Sequence, residues 1–141
     1  MILVGSRYFF NKYPDFKPKD IDYVKIVDNP IGFKKVRQIN IIGKCIFEWK
    51  RLPPEEYIRY SLVCSCPMSI GKFFVPEFAN EIGFTVEHLK QLEPIINNLD
   101  DKHKYYKPIY DSYIKNNDFI LEDSYRDEAY RLYKEARPHG N

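Results

Sequence analysis

Cysteine is scarce in this sequence: Cys45, Cys64 and Cys66 are the only three in 141 residues. A small, odd number argues against a disulfide framework. Cys64-Ser65-Cys66 is tighter than zinc-site spacing and has no second pair to complete it. The thiols are therefore expected to be free and buried. Long apolar runs are missing too, and none approaches the roughly 20 residues of a membrane span. Met1–Val4 is short for a signal-peptide core and has no basic leader, so a cytoplasmic protein away from membranes is expected. Net charge is nearly absent, with 22 basic against 20 acidic residues, which does not announce a nucleic-acid binder. The three histidines, His88, His103 and His139, show no metal-ligand spacing. Internal repeats and low-complexity stretches are absent.

What is present is core material. Hydrophobic residues make up 44% and aromatic residues 16% of the chain, enough for one domain, 1–141, with a single core. The pattern predicts an α/β (α+β) fold: a short mixed sheet carrying an acidic site, with helices packed on it. Residues 1–66 read as sheet-rich and 75–137 as helical. Ile2–Val4 and Asp20–Val27 read as strands. Val36–Ile42 and Cys45–Lys50 read as a hairpin, with Gly43 at the first loop position of a type II′ turn. Arg7–Tyr13 reads as a short helix, and Pro53-Pro54-Glu55-Glu56 opens another. Ser61–Cys66 fits a strand or the end of that helix equally well. Val75–Ile82 is a helix closed by Gly83. Thr85 caps the next one, with His88 standing where a capping box needs an acid or amide, and Pro94 interrupts it. Lys102–Asn116 and Glu122–Arg137 complete the helical half, with Tyr106, Tyr110 and Tyr113 at helical spacing.

The chemistry-bearing residues lie in the first third. Gly5-Ser6 follows an apolar strand and precedes a helix. Glycine permits a sharp turn and a close backbone approach to a ligand. Serine suits the helix cap, helix-start N–H groups attract phosphate, and Arg7 can pair with phosphate oxygens. Asp20 and Asp22, two apart on a strand, share a face with Cα atoms ~7 Å apart. Such carboxylates suit hard divalent ions, with Mg²⁺ expected and Mn²⁺ as the alternative. Glu48, within Cys45–Lys50, offers a third carboxylate to bind the ion or take a proton. The plain alternatives are an ordinary capped turn, a solvent-facing acidic pair and a surface glutamate between lysines.

Gly5-Ser6, thirteen intervening residues, Asp20-Ile21-Asp22, then Glu48 flanked by Phe47 and Trp49: this order resembles the nucleotidyltransferase superfamily of the DNA polymerase beta type. The resemblance covers residues 1–50 and is closest to minimal members, some of them antitoxin-like or phage-encoded. It implies a nucleotidyltransferase-like fold that binds a nucleoside triphosphate. Gly5, Ser6 and Arg7 would contact the nucleotide; Asp20, Asp22 and Glu48 would be catalytic and hold metal. The implied reaction moves a nucleoside monophosphate to an acceptor hydroxyl on a nucleic acid, a protein or a small molecule.

Two other readings compete. Glu48-Trp49-Lys50 with Asp22 or Asp28 is similar to the site of restriction-endonuclease-like nucleases. Alternatively the domain is a non-catalytic binding module. For that reading, Lys34, Lys35, Arg37, Lys44, Lys50 and Arg51 cluster around the hairpin. Tyr105, Tyr106 and Tyr110 also lie among Lys102, Lys104 and Lys107, as in base-stacking surfaces. Packed tyrosines with lysines reaching outward are the simpler expectation there.

Overall fold

The computed structural model describes residues 1–18, 20–28, 36–64 and 70–138. The fold is mixed α+β and divides into two compact units, Met1–Leu52 and Pro53–Asn141.

The first unit is built on a four-stranded mixed sheet. Strand β1 (Ile2–Val4) leads through helix α1 (Ser6–Phe10) to β2 (Ile21–Val27), followed by β3 (Val36–Ile41) and β4 (Lys44–Lys50). The spatial order is β1-β2-β4-β3. β1 and β2 run antiparallel, β2 and β4 parallel, and β3 and β4 antiparallel. Alternation divides the residues between two faces. Val4, Val24, Cys45 and Trp49 lie on one face and are buried, as are Phe9 and Phe10 of α1. Burying each such phenylalanine is worth about 1.5–3 kcal/mol.

The hairpin is present, but its turn sits one residue earlier than expected. Ile41 pairs with Lys44, so Ile42-Gly43 forms the loop. Gly43 takes the second loop position with φ +73, where a positive φ favours glycine. The type II′ assignment, with glycine first, is thus corrected. Helix α1 also stops at Phe10 rather than Tyr13. Beyond it the chain closes single turns, with Tyr13 N–H donating to Phe10 O at 3.1 Å. The lysines Lys34 and Lys35 lie outside the described residues, as do Cys66 and His139.

The second unit is helical. It comprises α2 (Pro54–Cys64), a 3-10 turn (Gly71–Phe74), α3 (Pro76–Ile82), α4 (Val86–Lys90) and α5 (Glu93–Ile96). A 3-10 turn (Asp101–His103), α6 (Tyr106–Asn116) and α7 (Asp123–Glu135) follow. Proline opens α2 and α3, and Gly83 ends α3 in the left-handed conformation with φ 75. Ser61–Cys64 resolves as helix. The chain breaks between α4 and α5 ahead of Pro94, which takes a first-turn position of α5. Cys64, expected to be buried, is exposed. It ends α2 beside Leu62 and Val63, which are exposed as well. Phe73, Phe74, Phe78, Leu89, Leu92, Ile109 and Tyr113 are fully buried. Phe73 stacks on Phe84 at 4.5 Å, and the Tyr113 hydroxyl donates to Phe74 O at 2.7 Å.

Candidate functional site

The antiparallel register sets the end of β1 against the start of β2, with Val4 opposite Asp22. The next residue, Gly5, turns the chain at φ 77, ψ −165. That backbone region is essentially reserved for glycine. A Cβ built on Gly5 would stand 2.8 Å from Asp22 Oδ2 and 3.4 Å from Asp22 Cβ. The glycine turn and the Asp22 carboxylate, separated by a long spacer in sequence, are thus in direct apposition. Glycine is needed there twice over, for its φ and for its lack of a side chain.

Ser6 is the first residue of α1 and half-buried, and Arg7 follows it, also half-buried. The expected serine cap is not formed. Gly5 occupies the N-cap position with no side-chain hydrogen bond, and its carbonyl accepts from Tyr8 N–H at 3.1 Å. The motif lies one residue further into the helix than a serine cap requires. Asp20 is exposed and immediately precedes β2.

Glu48 does not join this group. In the parallel register Asp22 pairs with Cys45 and Lys25 with Glu48. Opposed residues share a face, and alternate residues change face. Glu48 therefore belongs to the face of Lys25, Ile46 and Lys50, whereas Asp22 belongs to that of Val4, Val24, Cys45, Phe47 and Trp49. This one-residue parity sets Glu48, expected as the third carboxylate, on the opposite face from Asp22. In the sheet Glu48 occupies the register position between Lys25 of β2 and Arg37 of β3. The same parity separates Asp22 from the Glu48-Lys50 pair that a nuclease would use. Asp28 follows the far end of β2. Among the described residues, no three His, Cys, Asp or Glu side chains gather as a metal-holding group.

The register also places residues that pattern reading passed over. One row across the sheet runs Val4, Asp22, Cys45, Asn40, and the next runs Val24, Phe47, Gln38. Gln38 and Asn40 are exposed on the edge strand, and Gln38 Nε2 donates to Asn40 Oδ1 at 3.0 Å. Their alternation with Val36 was visible in the sequence, but only the strand pairing connects them to Asp22.

In the second unit, Tyr105, Tyr106 and Tyr110 are buried. The Tyr105 hydroxyl donates to Tyr106 at 2.9 Å, and burial, with Tyr106 beside it, pushes its pKa well above the ordinary phenol value. These rings form core and are not laid open as a stacking surface. A cleft of about 510 Å³ lies among Ile96, Leu99, Pro108, Tyr125 and Leu132. The charges at its rim are engaged locally: Lys107 with Asp111 at 2.8 Å, Lys104 with Asp101 at 2.7 Å, and Glu128 with Arg131. No helix among the described residues is long and apolar enough to cross a membrane. No protein-family model, curated protein or solved structure matches the chain.

Proposed function

We propose that the first unit binds a nucleoside triphosphate and transfers its nucleoside monophosphate to an acceptor hydroxyl. The observation that carries this reading is the apposition of Gly5 and Asp22. A side-chain-free turn gives phosphates access to backbone N–H groups, and the carboxylate stands immediately beside it. Ser6 and Arg7 follow on the same turn and supply a hydroxyl and a guanidinium to phosphate oxygens.

Asp20 and Asp22 suit one Mg²⁺. That ion is commonly held by one or two carboxylates with substrate phosphates completing its shell, and needs no all-protein cage. Bound there, Mg²⁺ would neutralise charge on the transferring phosphoryl group. In the transfer, the acceptor oxygen bonds to the α-phosphorus as the bond to the β-phosphate oxygen breaks, releasing pyrophosphate. Glu48 lies on the other face and has no place in this reading. The nuclease alternative needs Asp22 and Glu48 together, and the strand register counts against it.

The test is calorimetric titration with a triphosphate analogue non-hydrolysable between the α- and β-phosphates, with and without Mg²⁺. Wild type and Glu48→Gln are expected to bind in a Mg²⁺-dependent manner, and Asp20→Ala/Asp22→Ala is expected not to. Wild type that binds no triphosphate would sink the reading. Loss of binding on Glu48→Gln in a folded protein would restore a role for that carboxylate.

A further inference from the structure

The sheet ends at β3, and the outer edge of that strand is unprotected. The order β1-β2-β4-β3 gives β3 one neighbour, β4. In a two-residue hairpin the residues flanking the loop form a hydrogen-bonded pair, here Ile41 and Lys44. Alternation then turns the backbone groups of Ile39 and Ile41 toward β4 and those of Gln38 and Asn40 outward. Among the described residues no backbone group bonds to that outer edge. Native edges are blunted by charge, proline or a bulge. Residues 38–42 carry no charge and no proline, and the pairing of β3 with β4 runs without a break. Gln38 and Asn40 are exposed, and Ile41 and Ile42 are 55% and 101% exposed.

The edge is complementary to itself. An antiparallel pair about a twofold axis at Ile39 sets Gln38 opposite the partner's Asn40, and Asn40 opposite the partner's Gln38. These are the residues with outward backbone groups, so each exchanges both main-chain hydrogen bonds with its opposite. The side chains match as well. Within one chain Gln38 Nε2 donates to Asn40 Oδ1 at 3.0 Å, which leaves the Asn40 amino group to donate and the Gln38 carbonyl to accept. Across the axis each such donor meets such an acceptor. A twofold axis also brings like charges together, and residues 38–42 have none to repel. A strand of unrelated sequence could use the backbone edge, but a second copy matches the carboxamides by symmetry.

We propose that β3 pairs antiparallel with β3 of a second copy of this chain, joining two sheets into one across a closed twofold interface. The strand order becomes β1-β2-β4-β3-β3-β4-β2-β1, with Gly5 and Asp22 of each copy toward its outer ends. The pairing does not rest on the nucleotide reading.

The experiment is sedimentation velocity on the full chain over a concentration series reaching the solubility limit, with circular dichroism on each variant. Wild type is expected to shift with concentration from the 16.9 kDa monomer to twice that mass. Asn40→Lys sets like charges beside the axis, and Asn40→Pro removes an outward N–H without touching the β4 ladder; both should stay monomeric. Val63→Lys, at an exposed site on α2, should dimerise as wild type does. Ile39→Cys in a Cys64→Ser/Cys66→Ser background tests the register. Opposed Cα atoms of a non-hydrogen-bonded pair lie about 4.5 Å apart, within disulfide reach. Oxidation should therefore link that variant into a covalent dimer, and Gln38→Cys in the same background should link far less. A chain that is monomeric at every concentration overturns the pairing and leaves the edge to a strand of another protein. A dimer that survives both Asn40 variants, a mass beyond the dimer, or no link through Ile39→Cys overturns the interface. Should the Asn40 variants unfold, the two cysteine variants decide.

Discussion

Single residues decide this site because the sheet gives each a fixed side. Gly5 is constrained by its backbone conformation and by the Asp22 carboxylate that its missing Cβ admits. Gly5→Ala should cost about 1–3 kcal/mol from the conformation alone. It should also displace Asp22, so Mg²⁺-dependent triphosphate binding should fall even where the variant stays folded. Urea unfolding beside calorimetry separates the two effects, and a variant with wild-type stability and binding would refute the constraint. Asp22 and Glu48 provide the companion comparison. Asp22→Asn keeps the shape and removes the charge, and should lower transfer on the order of a hundredfold or more, as loss of a transition-state charge partner does. Glu48→Gln should leave transfer near wild type. Equal loss in both would mean that the face assignment does not govern the chemistry. The sequence carried the acid-hydrophobic-acid pair and the glycine turn openly. It did not carry the phase of β4 relative to β2. Each strand carries apolar residues on both faces, Tyr23 and Val24 in β2 and Ile46 and Phe47 in β4, so either parity satisfies the pattern, and a one-residue difference exchanges Glu48 for Cys45.

At the scale of elements, the ends and junctions show what pattern reading sees and what it misses. Gly83 and the prolines opening α2 and α3 act through their own backbones, and their roles follow from residue type. The α4 cap depends on a substitute partner. Thr85 caps it, and His88 Nδ1 accepts from Thr85 N–H at 3.0 Å, so a histidine completes the reciprocal pair usually made by glutamate or glutamine. That leaves Nε2 as the donor toward Glu55, 3.4 Å away. Thr85→Ala should cost about 1 kcal/mol, and His88→Gln should keep most of the cap, as measured by thermal or urea unfolding. The α6–α7 junction is a more demanding network. Buried Ser112 donates to Ile120 O at 2.7 Å and accepts from Glu122 N–H at 3.0 Å. Ser112→Ala leaves both backbone groups without that partner and should cost about 1–3 kcal/mol. Glu122 accepts from Asn116 at 2.9 Å and pairs with Lys115. The Asn116 hydrogen bond, then Lys115, holds its pKa below the ordinary glutamate value. A depressed folded-state pKa means that the contribution is complete above the unfolded value, roughly 4.3. It is lost as pH falls through the lower folded value. NMR titration should find Glu122 titrating below model glutamate, and Asn116→Ala should move it up; no movement would remove Asn116 as the cause.

For the whole molecule, the sequence pattern foretold strands first and helices after, because alternation and 3.6-residue spacing are local properties. The parallel pairing of β2 with β4 was not legible, since it joins segments through a long connection that no local signal encodes. The chain resolves into two compact units that part between Leu52 and Pro53. The second unit makes its own long-range contacts. Phe73 stacks on Phe84, Phe74 on Tyr106, and Tyr113 reaches back 39 residues to Phe74 O. Gly71 admits the Tyr106 ring, whose hydroxyl would lie 2.2 Å from a Cβ placed there. Contacts of this kind give the second unit a core of its own. Residues 53–141, expressed alone, are therefore expected to fold cooperatively, with the near-ultraviolet signal of packed tyrosines. Tyr113→Phe removes a buried donor and leaves Phe74 O unsatisfied, a loss of about 1–3 kcal/mol. If the second unit is thermodynamically self-sufficient, that loss should be equal in the fragment and in the full chain, within the few tenths of a kcal/mol expected of independent sites. A fragment that does not fold, or one in which Tyr113→Phe costs markedly more, would show that the helical unit draws part of its stability from the sheet.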